Sequence, residues 1–149
     1  MAYRNNYKSS HRNNRETVQL EKIELDYEKQ EQLFGDIAKD YSKKLYDESK
    51  KDNGKDNGKN KINQIRSFYE KVIELQEKSE GMSDEQYKRE IFPFVVMLKS
   101  KAAYAQTRSL VSNTFVKMIN QCVDEATTAK KMQNFKYFFE AVIGFYPKK

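Results

Sequence analysis

Lys101, Tyr104 and Arg108 follow one another at intervals of three and four residues near the middle of the chain. At about 100° per residue, this spacing places two cations and one aromatic ring in a single narrow stripe of a helix. Cations bind phosphates, and an aromatic or guanidinium plane can stack on a base, so the stripe suits single-stranded nucleic acid. The same spacing also fits lysines that extend past a tyrosine of the core.

Further basic residues border the predicted apolar faces of the helices. Lys99 lies on the other flank of its apolar stripe and is expected to face a different neighbour or a different part of a groove. Lys61 lies at the start of an earlier helix, where free backbone N–H groups also favour phosphate. The RNA-binding set predicted from these positions is Lys61, Gln64, Arg66, Lys99, Lys101, Tyr104, Arg108 and Lys136. Lys136 flanks an aromatic stripe, and because the aromatic residues have the spacing of a core, an ordinary surface lysine is the more typical interpretation there.

Residue types that carry catalysis are sparse. His11 is the only histidine and falls in an N-terminal segment that has no apolar periodicity, so nothing holds it in catalytic geometry. The carboxylates have ordinary surface spacing, and neither a phosphate-binding glycine-rich loop nor a serine nucleophile motif is present. Cys122 is the only cysteine, which excludes a Cys-based zinc site built from this chain. We therefore predict no catalytic site, no metal and no cofactor.

Charge is distributed unevenly along the 149 residues. Residues 1–15 carry four bases and no acid, 16–50 carry ten acids and six bases, and 91–149 carry nine bases and three acids. A basic surface attracts polyanions, of which nucleic acid is the commonest, although it can also serve solubility alone. There is no apolar run of membrane-spanning length and no signal-peptide core, and a single cysteine suits a reducing compartment. We expect a cytoplasmic protein that has no membrane partner and no small-molecule substrate.

Apolar periodicity predicts helices that would position these residues. Between Glu16 and about Glu48, apolar residues at helical intervals indicate a first helix, which Gly35 weakens without forbidding. Ser83 stands three residues before Gln86, the spacing of a capping box. A kink near 91 or a fresh start at 93 follows from the proline there. Further helices are predicted over 61–78, from 93 to about 108, over 110–124 and over 128–146.

These elements predict an all-α protein, a compact bundle of about five helices. A flexible basic arm is expected at 1–15, followed by a single domain over 16–149. The run KDNGKDNGKN at 51–60 is a tandem of turn-forming units. It predicts a flexible, solvent-exposed loop at 50–60.

Three segments carry a family resemblance: KINQIRSFYEKV at 61–72, FPFVVMLKSKAAYAQTR at 92–108 and FKYFFEAVIGFY at 135–146. Together they resemble the small subunit of type III-A CRISPR effector (Csm) complexes, over roughly residues 59–149. The resemblance implies a helical bundle that stacks in several copies as the inner filament of the effector. It also implies a non-catalytic role, because target RNA cleavage belongs to the backbone subunit, and DNA cleavage and cyclic oligoadenylate synthesis belong to the large subunit.

The resemblance further implies the partners: target RNA, CRISPR guide RNA, other copies of the chain, and the backbone and large subunits. Family members commonly have a basic residue, an apolar residue and an arginine at the start of the second helix. Here Arg66 matches, and Gln64 replaces the first cation. Lys99, Lys101 and Arg108 match basic positions of the central helix.

Two other function classes fit parts of the sequence. A stand-alone helical adaptor could use the basic half to bind an acidic protein. A helix-turn-helix DNA-binding protein would need a short helix with several base-reading polar residues, and the sequence contains no such pattern.

Overall fold

The computed structural model of the chain describes residues 19–147, so the arm predicted at 1–15 lies outside the described residues. Within this part of the chain, six α-helices follow one another: α1 (Ala38–Asp47), α2 (Ile62–Ser79), α3 (Asp84–Glu90), α4 (Phe92–Thr107), α5 (Asn113–Glu125) and α6 (Ala129–Phe145). No β-strand occurs within 19–147. The predicted all-α class is therefore confirmed.

The prediction of one continuous helix from 16 to 48 is wrong over residues 19–32, which form an irregular segment with turns at 27–29 and 31–32. A π-helical turn, Leu33–Ile37, precedes α1, and Gly35 within it has non-helical angles of φ −113° and ψ −109°. Long-range hydrogen bonds hold this segment on the bundle: the Asn134 side chain donates to the Leu25 carbonyl at 2.9 Å, and the Ile23 N–H donates to the Gln121 side chain at 3.0 Å. These contacts outweigh the helical propensity of the segment.

Side-chain caps set the bounds of several helices. The Ser83 hydroxyl accepts from the Gln86 N–H at 3.1 Å, which confirms the Ser83 half of the predicted capping box. Ile91 ends α3 and precedes α4, and Pro93 lies in the first turn of α4 as predicted. The helix expected from residue 110 starts at Asn113, because Ser112 caps α5 and Ser109 has φ +59°.

The core is aromatic at its centre. Phe68 of α2 meets Phe115 of α5 edge-on, with ring centroids 4.9 Å apart, and Phe115 in turn contacts Phe139 of α6 at 6.4 Å. Ala102 and Ala105 lie on the buried side of α4, which packs mainly on α5, and their small side chains allow a close approach of the helices. As a result, one side of α4 packs against the bundle and its other side faces outward.

The loop between α1 and α2 ends at a buried residue, Asn60, in the left-handed conformation at φ +55°. Its side-chain amide donates to the Leu45 carbonyl and to the Ser112 hydroxyl, both at 3.0 Å, and its oxygen accepts from the Ser112 N–H at 2.9 Å. The Tyr146 hydroxyl donates to the Asn60 carbonyl at 2.6 Å. Residues 51–57 are exposed, and their mobility stays a prediction. Asn60 therefore fixes where the chain enters α2.

None of the helices within 19–147 has both the length and the apolar character needed to cross a bilayer.

Candidate nucleic-acid interface

The stripe predicted on α4 lies on the outward side of that helix. Tyr104 is 64% exposed, so the interpretation of this residue as a core tyrosine is wrong. Lys101 and Arg108 are exposed with it, while the buried side of α4 consists of Val95, Leu98, Ala102 and Ala105. We call Lys101, Tyr104 and Arg108 the α4 ridge.

Each cation of the α4 ridge lies against an aromatic ring. The Lys101 Nζ lies 4.7 Å from the centroid of the Phe68 ring, and the Arg108 guanidinium lies 5.7 Å from that of Tyr104. Neither cation forms an ion pair with any described carboxylate. Burial lowers the pKa of Lys101, and the positive charge of Lys71 lowers it further. Glu70 acts on the Lys101 pKa in the opposite direction, as the smallest of the three influences. The ridge thus presents positive charge that no carboxylate of residues 19–147 neutralises in an ion pair.

A groove of about 550 Å³ runs beside the ridge. We call it the α4 groove, and its lining consists of Lys71, Phe94, Met97, Leu98, Ser100, Lys101 and Tyr104. Phe94 and Met97 are 53% and 60% exposed, which is unusual for large apolar side chains. The groove has an apolar floor and a basic rim.

Lys99 does not belong to the ridge. Its ammonium forms an ion pair with the carboxylate of Asp124 on α5, on the other flank of the apolar stripe. The helical spacing predicted that Lys99 would face a different neighbour from the ridge residues, and the contact with Asp124 confirms this prediction.

A second groove, of about 580 Å³, lies at the start of α2, and we call it the α2 groove. Lys59, Lys61 and Arg66 contribute charge to its lining, and none of them forms an ion pair with a carboxylate of residues 19–147. Lys61 is the N-cap of α2 and makes no side-chain cap, so the first N–H groups of the helix lack a side-chain acceptor there. Tyr46 and Tyr146, in edge-on contact at 5.7 Å, form an aromatic wall. The lining also contains Lys50 and Asp56, which form an ion pair with each other. Because Lys59, Lys61 and Arg66 add positive charge beyond that pair, the groove suits an anion.

The two basic clusters lie on opposite flanks of α2. On one flank Phe68 contacts Lys101 of α4, and on the other Tyr69 contacts Phe139 of α6 at 5.6 Å. Arg66 lines the α2 groove together with Ile143 of α6, which places Arg66 on the α6 flank. Gln64 is half-buried and lines neither groove. The cations that the sequence predicted as one RNA-binding set therefore do not form a single cluster, because α2 lies between Arg66 and Lys101.

Lys136 lies apart from both grooves. Its Nζ is 5.6 Å from the centroid of the Tyr137 ring, and Tyr137 contacts Phe34 edge-on at 5.8 Å. Tyr27 adds a third ring, at 6.1 Å from Phe34, from the segment that the sequence had suggested to be helical. The structure therefore does not bring Lys136 to the α4 ridge.

Sequence reasoning missed the floor of the α4 groove. Phe94 and Met97 continue the series 94, 97, 101, 104 and 108, whose intervals of three and four residues define one side of a helix. The helical spacing of Phe94 and Met97 was thus visible in the sequence. It was overlooked because α4 has another apolar side, which is the buried one. Lys71, Tyr46 and Tyr146 were also missed, because contacts between helices place them.

The arrangement can bind anions and stack on flat rings. Within residues 19–147, no group of three or more His, Cys, Asp or Glu side chains is placed to hold a metal ion. Cys122 is buried among apolar residues, and burial raises the pKa of its thiol well above the usual value. The side chains gathered at the two grooves supply binding chemistry.

Comparison with known proteins gives one finding. A family model described as Csm2 Type III-A matches residues 39–148, which is well over half of the chain. No curated protein matches the sequence, and no solved structure does.

Proposed function

Because the chain belongs to the Csm2 Type III-A family, and is thus a small subunit of a type III-A CRISPR effector complex, we propose that it binds RNA inside that complex without cutting it. In this proposal the α4 ridge holds target RNA that is paired with guide RNA. Neighbouring copies extend the surface along an inner filament, next to the backbone and large subunits. The proposed setting is the cytoplasm.

The observation that carries the proposal is the exposed α4 ridge. Two cations that form no ion pair with a carboxylate of residues 19–147 flank a tyrosine that is 64% exposed. Their contacts with aromatic rings leave the positive charge available at the surface, where a phosphate can add a charge-assisted hydrogen bond. A polyanion is therefore the ligand that the ridge suits best.

Phosphate contacts explain why such a subunit needs no sequence preference. They fix the position and register of a nucleic acid without reading its bases. Base pairing with the guide then supplies specificity, and the subunit supplies the basic wall of the channel. The α2 groove, with Lys59, Lys61 and Arg66, adds phosphate contacts on the other flank of α2.

Self-association in the filament requires two different surfaces, because head-to-tail stacking is heterologous and open-ended. Residues 16–50 carry ten acids and six bases, and residues 91–149 carry nine bases and three acids. We propose that these oppositely charged parts meet between successive copies. Electrostatic complementarity of this kind favours the correct register.

Filter binding of single-stranded RNA across a salt series tests the proposal. The wild-type protein should bind at low salt and weaken steeply as salt rises. The variant Lys101→Ala/Arg108→Ala should bind more weakly and lose about 0.7 of the log–log salt slope per phosphate contact removed. Circular dichroism should stay helical, because both side chains are exposed.

Lys88→Ala/Arg89→Ala is the matched control, since it removes one lysine and one arginine from exposed positions of α3, away from both grooves. This control should keep the wild-type affinity at each salt concentration. A wild-type protein that binds no RNA even at low salt would support the adaptor alternative and contradict the proposal. Native mass spectrometry of a complex purified through this subunit then reports which RNA and protein companions it has.

A further inference from the structure

The α4 groove contains more apolar surface than phosphate binding requires. Phe94 and Met97 are more than half exposed, and Leu98 and Tyr104 adjoin them in the lining. Exposed apolar patches of this kind mark a binding surface. A phosphate bound by the cations of the rim would leave the apolar floor uncovered. We therefore expect the floor to contact another, apolar part of a ligand.

The lining restricts the chemistry of that ligand. Among residues 19–147, Lys71 and Lys101 are the charged residues of the groove lining, and no acidic residue of this part of the chain lines it. A suitable ligand therefore has a flat apolar part next to an anionic part. The Ser100 hydroxyl donates to the Met97 carbonyl at 2.9 Å, which leaves its oxygen lone pairs to accept a hydrogen bond. A nucleobase, with its apolar faces, N–H edge and adjoining phosphate, meets each of these requirements.

We propose that the α4 groove receives an unpaired nucleotide of the bound RNA, with its base on Phe94, Met97 and Tyr104 and its phosphate on Lys101. The inference rests on the proposed RNA-binding function and deepens it. Bases inside an A-form duplex expose only their edges and cannot lie flat on an apolar floor. A base that has left the stack can do so, as in aromatic platforms for single strands.

The position of Arg108 supports a nucleotide over an acidic peptide. Its guanidinium lies over the ring of Tyr104 and extends the basic rim beyond the groove. Lys101, Tyr104 and Arg108 therefore form a line along α4, and the apolar floor lies beside one end of it. A polynucleotide can follow such a line with one phosphate after another while one base turns into the groove.

The test uses Phe94→Ala/Met97→Ala in the full chain, because both side chains are exposed and their loss should leave the bundle folded. Affinity is measured for oligouridylate and for a fully paired RNA duplex of the same length, each across a salt series. We expect affinity for oligouridylate to fall about tenfold, the size of one lost base stack. The salt slope should not change, because no phosphate contact is lost, and duplex affinity should stay at the wild-type value.

Val96→Ala/Phe145→Ala is the matched control, because these residues are 41% and 43% exposed and line neither groove. It should bind both RNAs like the wild type. As a second measurement, a 4-thiouridine placed in the RNA of the assembled complex should cross-link to the peptide from Phe94 to Tyr104 when unpaired. The same nucleotide should not cross-link there when it is paired.

Equal loss of single-stranded and duplex affinity in Phe94→Ala/Met97→Ala would overturn the inference, as would no loss at all. Unchanged RNA affinity combined with failure to assemble with the other subunits would identify the floor as a protein contact instead. These results differ from failure of the proposed function, in which the wild-type protein itself binds no RNA.

Discussion

Lys99 on α4 and Asp124 on α5 form an ion pair that separates Lys99 from the other cations of its helix. Two residues later, Lys101 has no carboxylate partner among residues 19–147 and lies over the ring of Phe68. Two lysines of similar sequence context thus have different electrostatic surroundings. A phosphate would have to compete with Asp124 for Lys99, whereas Lys101 is available to it.

The first prediction concerns this pair. Lys99→Ala should lower RNA affinity less than Lys101→Ala, because the Lys99 charge is already neutralised by Asp124. Asp124→Asn should raise RNA affinity, since it frees the Lys99 ammonium. Both pair members are more than a third exposed, so each substitution should change the free energy of unfolding by less than about 1 kcal/mol. Salt-dependent titration measures the RNA affinity, and urea denaturation measures the free energy of unfolding. A larger loss of RNA affinity in Lys99→Ala than in Lys101→Ala would contradict the neutralisation of Lys99 by Asp124.

The second prediction concerns Asn60, whose buried side chain joins the end of α1 to the N-cap of α5. Asn60→Ala leaves the Ser112 N–H without its acceptor and should lower the free energy of unfolding by about 1–3 kcal/mol. Asn60→Gly loses the same hydrogen bonds but tolerates φ +55° without strain, so it should be the less destabilised of the two. Thermal and urea denaturation compare the two variants. An alanine variant that is more stable than the glycine variant would exclude backbone strain at residue 60 as the cause of the difference.

The third prediction is a pH dependence. The Tyr69 hydroxyl donates to the Glu140 carboxylate at 2.8 Å, and burial together with this hydrogen bond raises the pKa of Tyr69 to about 12. In the unfolded chain a tyrosine ionises near pH 10, so the unfolded state loses its proton first as pH rises. The contribution of Tyr69 is therefore complete below pH 10 and is lost between about pH 10 and 12.

Tyr69→Phe provides the comparison, because lysines titrate in the same range and act equally on both proteins. Over pH 10–12 the variant should lose stability less steeply than the wild type, as measured by urea denaturation at each pH. Phenolate absorbance of the native protein should show one fewer high-pKa tyrosine in the variant. Parallel stability curves for the two proteins would contradict the raised pKa.

The fourth prediction uses Cys122, the only cysteine of the chain. Its thiol is fully buried in α5, and burial raises its pKa, so the thiolate needed for reaction is both scarce and inaccessible. Thiol reagents should modify the native protein only as fast as the bundle opens. The rate should rise with urea in parallel with loss of helical circular dichroism, and rapid labelling in native buffer would show that α5 opens locally.

Local periodicity accounts for what the sequence predicted correctly. The three- and four-residue intervals of Lys101, Tyr104 and Arg108 predicted that these residues share one side of a helix, and all three are exposed on α4. Ser83 and Pro93 predicted where helices begin, because capping and proline effects act within one turn. Such signals involve residues three or four positions apart. These residues are neighbours on any helix, so their proximity does not depend on the tertiary fold.

Tertiary packing decided the rest. Residues 19–32 are not helical because Asn134 and Gln121, about a hundred positions away, hold the backbone at Leu25 and Ile23 in an irregular conformation. The sequence could not show that α2 separates Arg66 from Lys101, nor that Asp124 neutralises Lys99. An ion pair or a groove forms between side chains of different helices, and their distances depend on how the whole bundle packs. Local spacing therefore fixes which residues share a side of a helix, whereas the packing of the whole bundle fixes which neighbours each side contacts.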